Sequence, residues 1–149
     1  MRETRILMGM PITVDVGGAA NGDLIDTVFN YFEHIDRRFS TYRADSEITA
    51  INRGDVPVVD WSGEMTEVFA LARQTKDETD GYFDIRKPDG SLDPSGIVKG
   101  WAIRNAAAIV QRAGISDFFI ERTPGLEGYV IDTNGRATPT TGFGALCLP

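Results

Sequence analysis

The segment from Leu24 to Phe39 constrains the fold of this chain more than any other. Apolar side chains recur there at steps of three and four residues, which is the spacing of one face of an α-helix. The stripe comprises Leu24, Ile25, Val28, Phe29, Phe32, Ile35 and Phe39. Because so large an apolar and aromatic face is unfavourable in water, we predict a helix that is buried in the core.

A short helical turn and two further helices are predicted from capping residues and shorter apolar stripes. Ser46 can cap the short turn, which runs through Asn52, and Ser62 stands before a segment with helical spacing. At both places the serine hydroxyl can accept a backbone N–H of the first turn. A loop of small residues at 93–96 leads into a longer helix, and Gly114 follows it where a left-handed residue would end it. The apolar stripe predicted for this helix comprises Val98, Ala102, Ala106, Ile109 and Ala113.

Strand patterns alternate with these helices along the chain. Residues 12–16 alternate apolar and polar side chains, which is typical of a half-buried strand. Residues 56–59 are apolar and β-branched, and Pro57 favours an edge strand or extended segment. Residues 118–120 predict a buried strand, and Asn134-Gly135 predicts a hairpin between two extended runs. The whole pattern predicts an α+β layered domain with a largely antiparallel sheet and packed helices.

Composition limits the classes of function. A chain of 149 residues has the length of about one domain, so we expect a single domain over residues 1–149. The formal net charge of −7 argues against a general nucleic-acid binder, which needs clustered Lys and Arg. Cys147 is the one cysteine and cannot form an internal disulfide. With no apolar run near the ~20 residues of a membrane span and no secretion signal, we expect a cytoplasmic protein.

Three polar clusters, at residues 40–46, 79–84 and 93–100, lie outside the helical stripes. The last one leads into a helix N-terminus, where free N–H groups and Lys99 would favour an anion, although a capped helix with a surface lysine is the simpler explanation. The middle cluster sets Asp80 and Asp84 around a glycine and two aromatic residues. Such a group suits Mg²⁺ and a flat heterocycle, or else a simple turn with its rings in the core.

Taken together and in order, these clusters resemble the FAD:protein FMN transferases, the ApbE family. The motifs that carry the resemblance are Met8-Gly9 at the start of the first strand, Ser40-Thr41-Tyr42 with Asp45-Ser46-Glu47-Ile48, Thr79-Asp80-Gly81-Tyr82-Phe83-Asp84-Ile85, and Asp93-Pro94-Ser95-Gly96-Ile97-Val98-Lys99-Gly100-Trp101-Ala102. The resemblance implies that the protein binds FAD, uses Mg²⁺ and moves FMN onto a threonine hydroxyl of a partner flavoprotein, releasing AMP. Some relatives hydrolyse FAD instead.

The resemblance also implies roles for individual positions. The positions that match FAD contacts are Met8, Tyr42, Tyr82, Phe83, Asp84, Asp93 and Lys99. Gly96 matches a position that gives a metal-site oxygen, available here only from the backbone. No side chain of this chain matches a catalytic role.

The resemblance breaks after Ile120, where residues 121–129 already match the family's final segment. Family members carry further strands and most of their metal ligands in between, and a natural deletion, an engineered one or residues omitted from the sequence would each explain the join. We therefore expect a shortened ApbE-like domain with impaired FMN transfer. The alternatives are a non-catalytic FAD-binding module and a partner-dependent structural remnant. Sheet edges left open by the shortening would be covered by a homo-oligomer.

Overall fold

A computed structural model gives the fold, and it describes residues 1–18 and 22–122 together with the backbone of 127–131 and 137–139. The elements in chain order are β1 (Arg2–Leu7), β2 (Met10–Val16), α1 (Gly22–Phe39), α2 (Glu47–Arg53), a 3₁₀ turn (Val58–Asp60), α3 (Gly63–Glu78), α4 (Ser95–Arg112), β3 (Phe118–Arg122), β4 (Glu127–Ile131) and β5 (Ala137–Pro139). The fold is α+β, as the sequence predicts, and the chain divides into two compact units.

The first unit comprises residues 1–33 and 103–149 and contains the sheet. Its strands follow one another in the order β1-β2-β3-β4-β5, and each neighbouring pair is antiparallel. Val14 of β2 lies opposite Ile120 of β3, and both side chains are buried. Alternate residues of β2 and the first half of the α1 stripe, including Ile25 and Phe29, complete the apolar core of this unit.

A close backbone approach at Gly17 joins the end of β2 to the segment before β3. The Gly17 N–H donates to the Asp117 carbonyl oxygen at 2.8 Å. A Cβ atom at Gly17 would stand 2.4 Å from Asp117 Oδ2, so a larger residue would push the carboxylate aside. Glycine therefore fits this junction without any shift of the Asp117 side chain.

The second unit comprises residues 34–102 and contains α2, α3 and the loops that carry the polar clusters. Ser46 and Ser62 are the N-caps of α2 and α3, and their hydroxyls accept the backbone N–H of Thr49 and Met65. The buried side chains include Ile48 of α2 and the residues of α3 that face inward, namely Met65, Val68 and Ala72. The Phe39 and Trp101 rings meet edge to face, with their centroids 5.8 Å apart.

Three local predictions are wrong. Residues 56–59 form no strand in the described chain, because the Asp60 N–H donates to the Pro57 carbonyl and closes a 3₁₀ turn instead. Met8-Gly9 does not begin a strand but forms the turn between β1 and β2. Ala113 lies beyond the end of α4 and is exposed, so it does not belong to the buried stripe of that helix.

Candidate functional site

The loop at residues 40–46 is held by the serine that caps α2. Ser46 is 1% exposed, and its Oγ lies 2.6 Å from the Ser40 carbonyl oxygen. Nη1 of Arg53, at the other end of α2, donates to the Ala44 carbonyl at 3.0 Å. Tyr42 stands at the tip of this loop and is 99% exposed, so its ring is open to a ligand or to solvent.

A carboxylate beside Tyr42 is already paired. The Arg43 guanidinium donates two hydrogen bonds, at 3.0 and 3.1 Å, to the two carboxylate oxygens of Asp45. These bonds lower the pKa of Asp45 and raise the pKa of Arg43. Both side chains are exposed, so the pair orders the loop and contributes little to stability.

The turn at residues 79–84 follows the end of α3 with two left-handed residues. Asp80 has φ +51° and Gly81 has φ +81°, and the Gly81 N–H donates to the Lys76 carbonyl at 2.8 Å. Thr79 Oγ1 accepts the Phe83 N–H at 3.0 Å. The turn leaves Tyr82 96% exposed, so this ring is not part of the core.

Asp84 is bound within its own segment. Its Oδ2 lies 2.8 Å from Nζ of Lys76, and its Oδ1 accepts the Arg86 N–H at 2.9 Å. The Lys76 ammonium, followed by the Arg86 N–H, lowers the pKa of the Asp84 carboxyl. Asp84 is therefore a carboxylate at neutral pH, but Lys76 already offsets its charge.

The turn at residues 79–84 and the start of α4 come together through Phe83. A Cβ atom built on Gly96 would stand 3.3 Å from Cε2 of the Phe83 ring, so an edge of the ring lies against this glycine. Two residues past Phe83, the Ile85 carbonyl accepts the Asp93 N–H at 2.8 Å. The structure thus brings Phe83, Asp93 and Gly96 to one place in the second unit.

Asp93 and Lys99 flank the first turn of α4. Oδ1 of Asp93 accepts the Ser95 N–H at 3.1 Å, which satisfies one of the unpaired donors of the helix start. Lys99 lies half-buried one turn further on. No carboxylate forms an ion pair with Lys99 within residues 1–18 and 22–122, so its charge is available to an anion.

Asn52 is a residue that the sequence analysis did not find. Its Nδ2 donates to the Leu92 carbonyl at 2.9 Å, and its Oδ1 accepts the Leu92 N–H at 2.8 Å. These two bonds tie the last turn of α2 to the residue before Asp93. They join segments 40 residues apart, and neither stripes nor capping patterns carry a signal for such a pair.

Met8 belongs to the unit that contains the sheet, whereas the other candidate residues belong to the unit of residues 34–102. It occupies the β1–β2 turn with φ +55° and is half-buried. Positive φ is costly for a residue with a Cβ atom, and such strain is often found at functional positions.

The described residues do not fit a Mg²⁺ site. In that part of the chain, no group of three or more His, Cys, Asp or Glu residues is placed to hold a metal ion. Mg²⁺ requires near-octahedral oxygen coordination, usually with at least one carboxylate beside its waters. The two carboxylates among the predicted site residues are already engaged, since Asp93 accepts the Ser95 N–H and Asp84 pairs with Lys76.

A comparison with protein-family models shows to which family this chain belongs. The model of the ApbE family matches residues 8–87, which is more than half of the chain. The chain belongs to the ApbE family. The match includes Met8 and the loops at 40–46 and 79–84, while α4 lies beyond its end. A direct comparison with curated protein sequences finds no match.

Solved structures of ApbE proteins share the fold of this chain. The flavin transferase ApbE from Vibrio cholerae, as its H257G mutant, has a TM-score of 0.75 at 18% identity, over 91% of this chain and 61% of that one. The apo flavinyl transferase ApbE from Pseudomonas stutzeri has a TM-score of 0.72 at 20% identity, over 91% and 62%. The ApbE protein from Thermotoga maritima has a TM-score of 0.74 at 15% identity, over 88% and 58%. This chain therefore spans about three fifths of the length of these ApbE structures.

None of the helices in the described part of the chain is both long and apolar enough to cross a membrane.

Proposed function

We propose that this chain binds FAD in the manner of an ApbE flavin transferase. The observation that carries the proposal is the meeting of Phe83, Gly96 and Asp93 at the start of α4. A flat ring, a carboxylate that accepts hydrogen bonds and a helix N-terminus suit the ring system, the hydroxyls and the pyrophosphate of a dinucleotide.

The other family positions complete this binding proposal. Tyr42 and Tyr82 expose whole rings that can stack on a flat heterocycle. Lys99 offers a cation one turn inside α4, next to where a phosphate would meet the helix. Met8 and Asp84 are included on the family resemblance, and Asp84 would have to share its charge between Lys76 and the ligand.

We propose that the reaction of this chain is the transfer of FMN from FAD to a threonine hydroxyl of an acceptor flavoprotein. The threonine oxygen forms a bond to the phosphorus of the FMN half, the pyrophosphate P–O bond breaks, the hydroxyl proton passes to a base, and AMP leaves. The described residues supply charge around the pyrophosphate but do not fit the Mg²⁺ that we expect the reaction to use. We therefore propose that transfer by this chain is impaired, with Gly96 giving at most one backbone oxygen to a metal.

A second candidate is favoured by the same observation about metal ligands. A chain with ring and phosphate contacts, but without a cluster of metal-binding carboxylates among its described residues, would act as an FAD-binding module. Our proposals of a single domain over 1–149, a cytoplasmic location and a homo-oligomer that covers the sheet edges apply equally to both candidates.

One assay separates the two candidates. The chain is incubated with FAD, Mg²⁺ and an acceptor protein that bears a flavinylation threonine, and AMP and covalent flavin are then measured. Slow release of AMP with flavin on the acceptor supports the impaired transferase. FAD binding without AMP above a no-enzyme control supports the binding module, and AMP without covalent flavin indicates FAD hydrolysis.

A further inference from the structure

The Asn52 side chain makes a backbone-like pair with a residue 40 positions away. Its amide nitrogen donates to the Leu92 carbonyl and its amide oxygen accepts the Leu92 N–H, at 2.9 and 2.8 Å. One primary amide thus satisfies both the N–H and the C=O group of Leu92. Without Asn52, these two backbone groups would need water or another partner.

Leu92 immediately precedes Asp93 in the chain. It forms an isolated antiparallel bridge with Arg86. The next N–H along the chain, that of Asp93, donates to the Ile85 carbonyl, and the Asp93 carboxylate then accepts the Ser95 N–H. The loop between Arg86 and Leu92 is short and exposed, and the Arg86–Leu92 bridge closes it. Asn52, which belongs to α2, holds the Leu92 side of this bridge.

We infer that Asn52 is a positioning residue, which holds Leu92 so that the Asp93 carboxylate is placed for the hydroxyls of FAD and the start of α4 for its pyrophosphate. The inference rests on the proposed FAD site, and it adds to that site a residue from α2. Asn52 acts through Asp93 and is not itself placed against the ligand.

The first test uses the free chain and needs no ligand. Asn52→Ala removes both bonds, and alanine is a good helix former at this exposed position, so the fold should be kept. We expect amide hydrogen exchange at Leu92 to quicken by about 3- to 10-fold, as for the loss of about one neutral hydrogen bond. Asp55→Asn is the matched control, because it disturbs the neighbouring Arg53–Asp55 ion pair and leaves Leu92 untouched. Unchanged exchange at Leu92 in Asn52→Ala would overturn the inference.

The second test asks whether Asn52 acts through Asp93. FAD dissociation constants are measured for the wild type, Asn52→Ala, Asp93→Ala and the double variant. We expect Asn52→Ala to weaken FAD binding by about 3- to 10-fold in the wild type and to have no further effect in the Asp93→Ala background. A general loss of stability would instead weaken binding equally in both backgrounds, and that result would overturn the inference.

The two tests keep this inference separate from the proposed function. If the wild-type chain binds no FAD, the proposed function fails, and the exchange at Leu92 still decides whether Asn52 holds the bridge. If the wild type binds FAD and Asn52→Ala binds it equally well, the positioning role fails while the proposed function stands.

Discussion

Met8 occupies a backbone conformation that its side chain does not favour. With φ +55° it is followed by Gly9 at φ +73°, and a two-residue turn of this kind between antiparallel strands prefers Asn-Gly. The β1–β2 register, with Leu7 opposite Met10, leaves only these two residues to make the turn. A residue that costs stability in a turn is a candidate for a role in binding.

We therefore predict that Met8→Asn stabilises the fold. Asparagine tolerates positive φ, so the free energy of unfolding should rise by about 0.5–1 kcal/mol in a urea titration. Gly9→Ala is the matched control, and it should destabilise by about 1 kcal/mol, since nothing lies within 4 Å of its added Cβ and only the backbone is strained. A less stable Met8→Asn variant would show that the Met8 side chain contributes more than its backbone costs.

Glu47 illustrates how one residue of a family motif can serve the fold. Its Oε1 accepts the Ser62 N–H at 2.7 Å, and its Oε2 pairs with Arg38. Partial burial works to raise the pKa of Glu47, but the bonds from Ser62 and Arg38 outweigh it and leave the pKa lowered. The carboxylate thus ties α1 to the start of α3.

Because the folded pKa of Glu47 is lowered, its contribution to stability is present above the unfolded pKa of about 4.3 and is lost as pH falls through the folded value. We predict that Glu47→Gln lowers the free energy of unfolding at pH 7 by roughly 1–2 kcal/mol. The stabilities of the two proteins should converge below about pH 4. Glu78→Gln, on the exposed end of α3, is the control and should change stability by less than about 0.5 kcal/mol. A gap between Glu47→Gln and the wild type that does not narrow in acid would contradict this account.

At the scale of whole elements, helices were predicted better than strands. The four α-helices follow from apolar spacing and from Ser46 and Ser62, because caps and stripes are local signals. The strand β1 was not predicted, since Arg2–Leu7 is mostly polar and gains its structure by pairing with β2, with Thr4 and Thr13 Oγ1 atoms 2.8 Å apart. Residues 56–59 have strand propensity but pair with none of the described strands, so a prediction from propensity alone is wrong there.

The contact between α4 and the turn at residues 79–84 gives a prediction at this scale. In Gly96→Val the branched side chain would clash with the Phe83 ring, since a Cβ atom at this position would already lie 3.3 Å from Cε2 of the ring. We expect the ring to be displaced and FAD affinity to fall by about 10-fold, as for one lost aromatic contact. Gly63→Val is the control at the start of α3, where nothing lies within 4 Å, and its FAD affinity should match the wild type. Equal affinities for Gly96→Val and the wild type would remove Phe83 from the proposed site.

At the scale of the molecule, the sequence predicts the polar clusters and the family, but not how the clusters pack against one another. The order of the clusters identifies the family because each motif is contiguous in the chain. The pairing of Asn52 with Leu92 and the contact of Phe83 with Gly96 depend on how distant segments pack, and no local pattern encodes them. The division into two units was also not predicted, because α1 and α4 each run unbroken through the boundary.

The proposed function requires the second unit, residues 34–102, to supply FAD contacts at the start of α4. Its most direct test is an FAD titration of the whole chain, followed by flavin fluorescence, beside the variants Asp93→Ala and Lys99→Ala. Arg73→Ala is the control, on the exposed surface of α3. We expect FAD to bind to the wild type and the control, and to bind about 10-fold more weakly to Asp93→Ala and Lys99→Ala, since each of these variants loses one charged contact. No binding by the wild type, or unchanged affinity in both Asp93→Ala and Lys99→Ala, would contradict the proposed function.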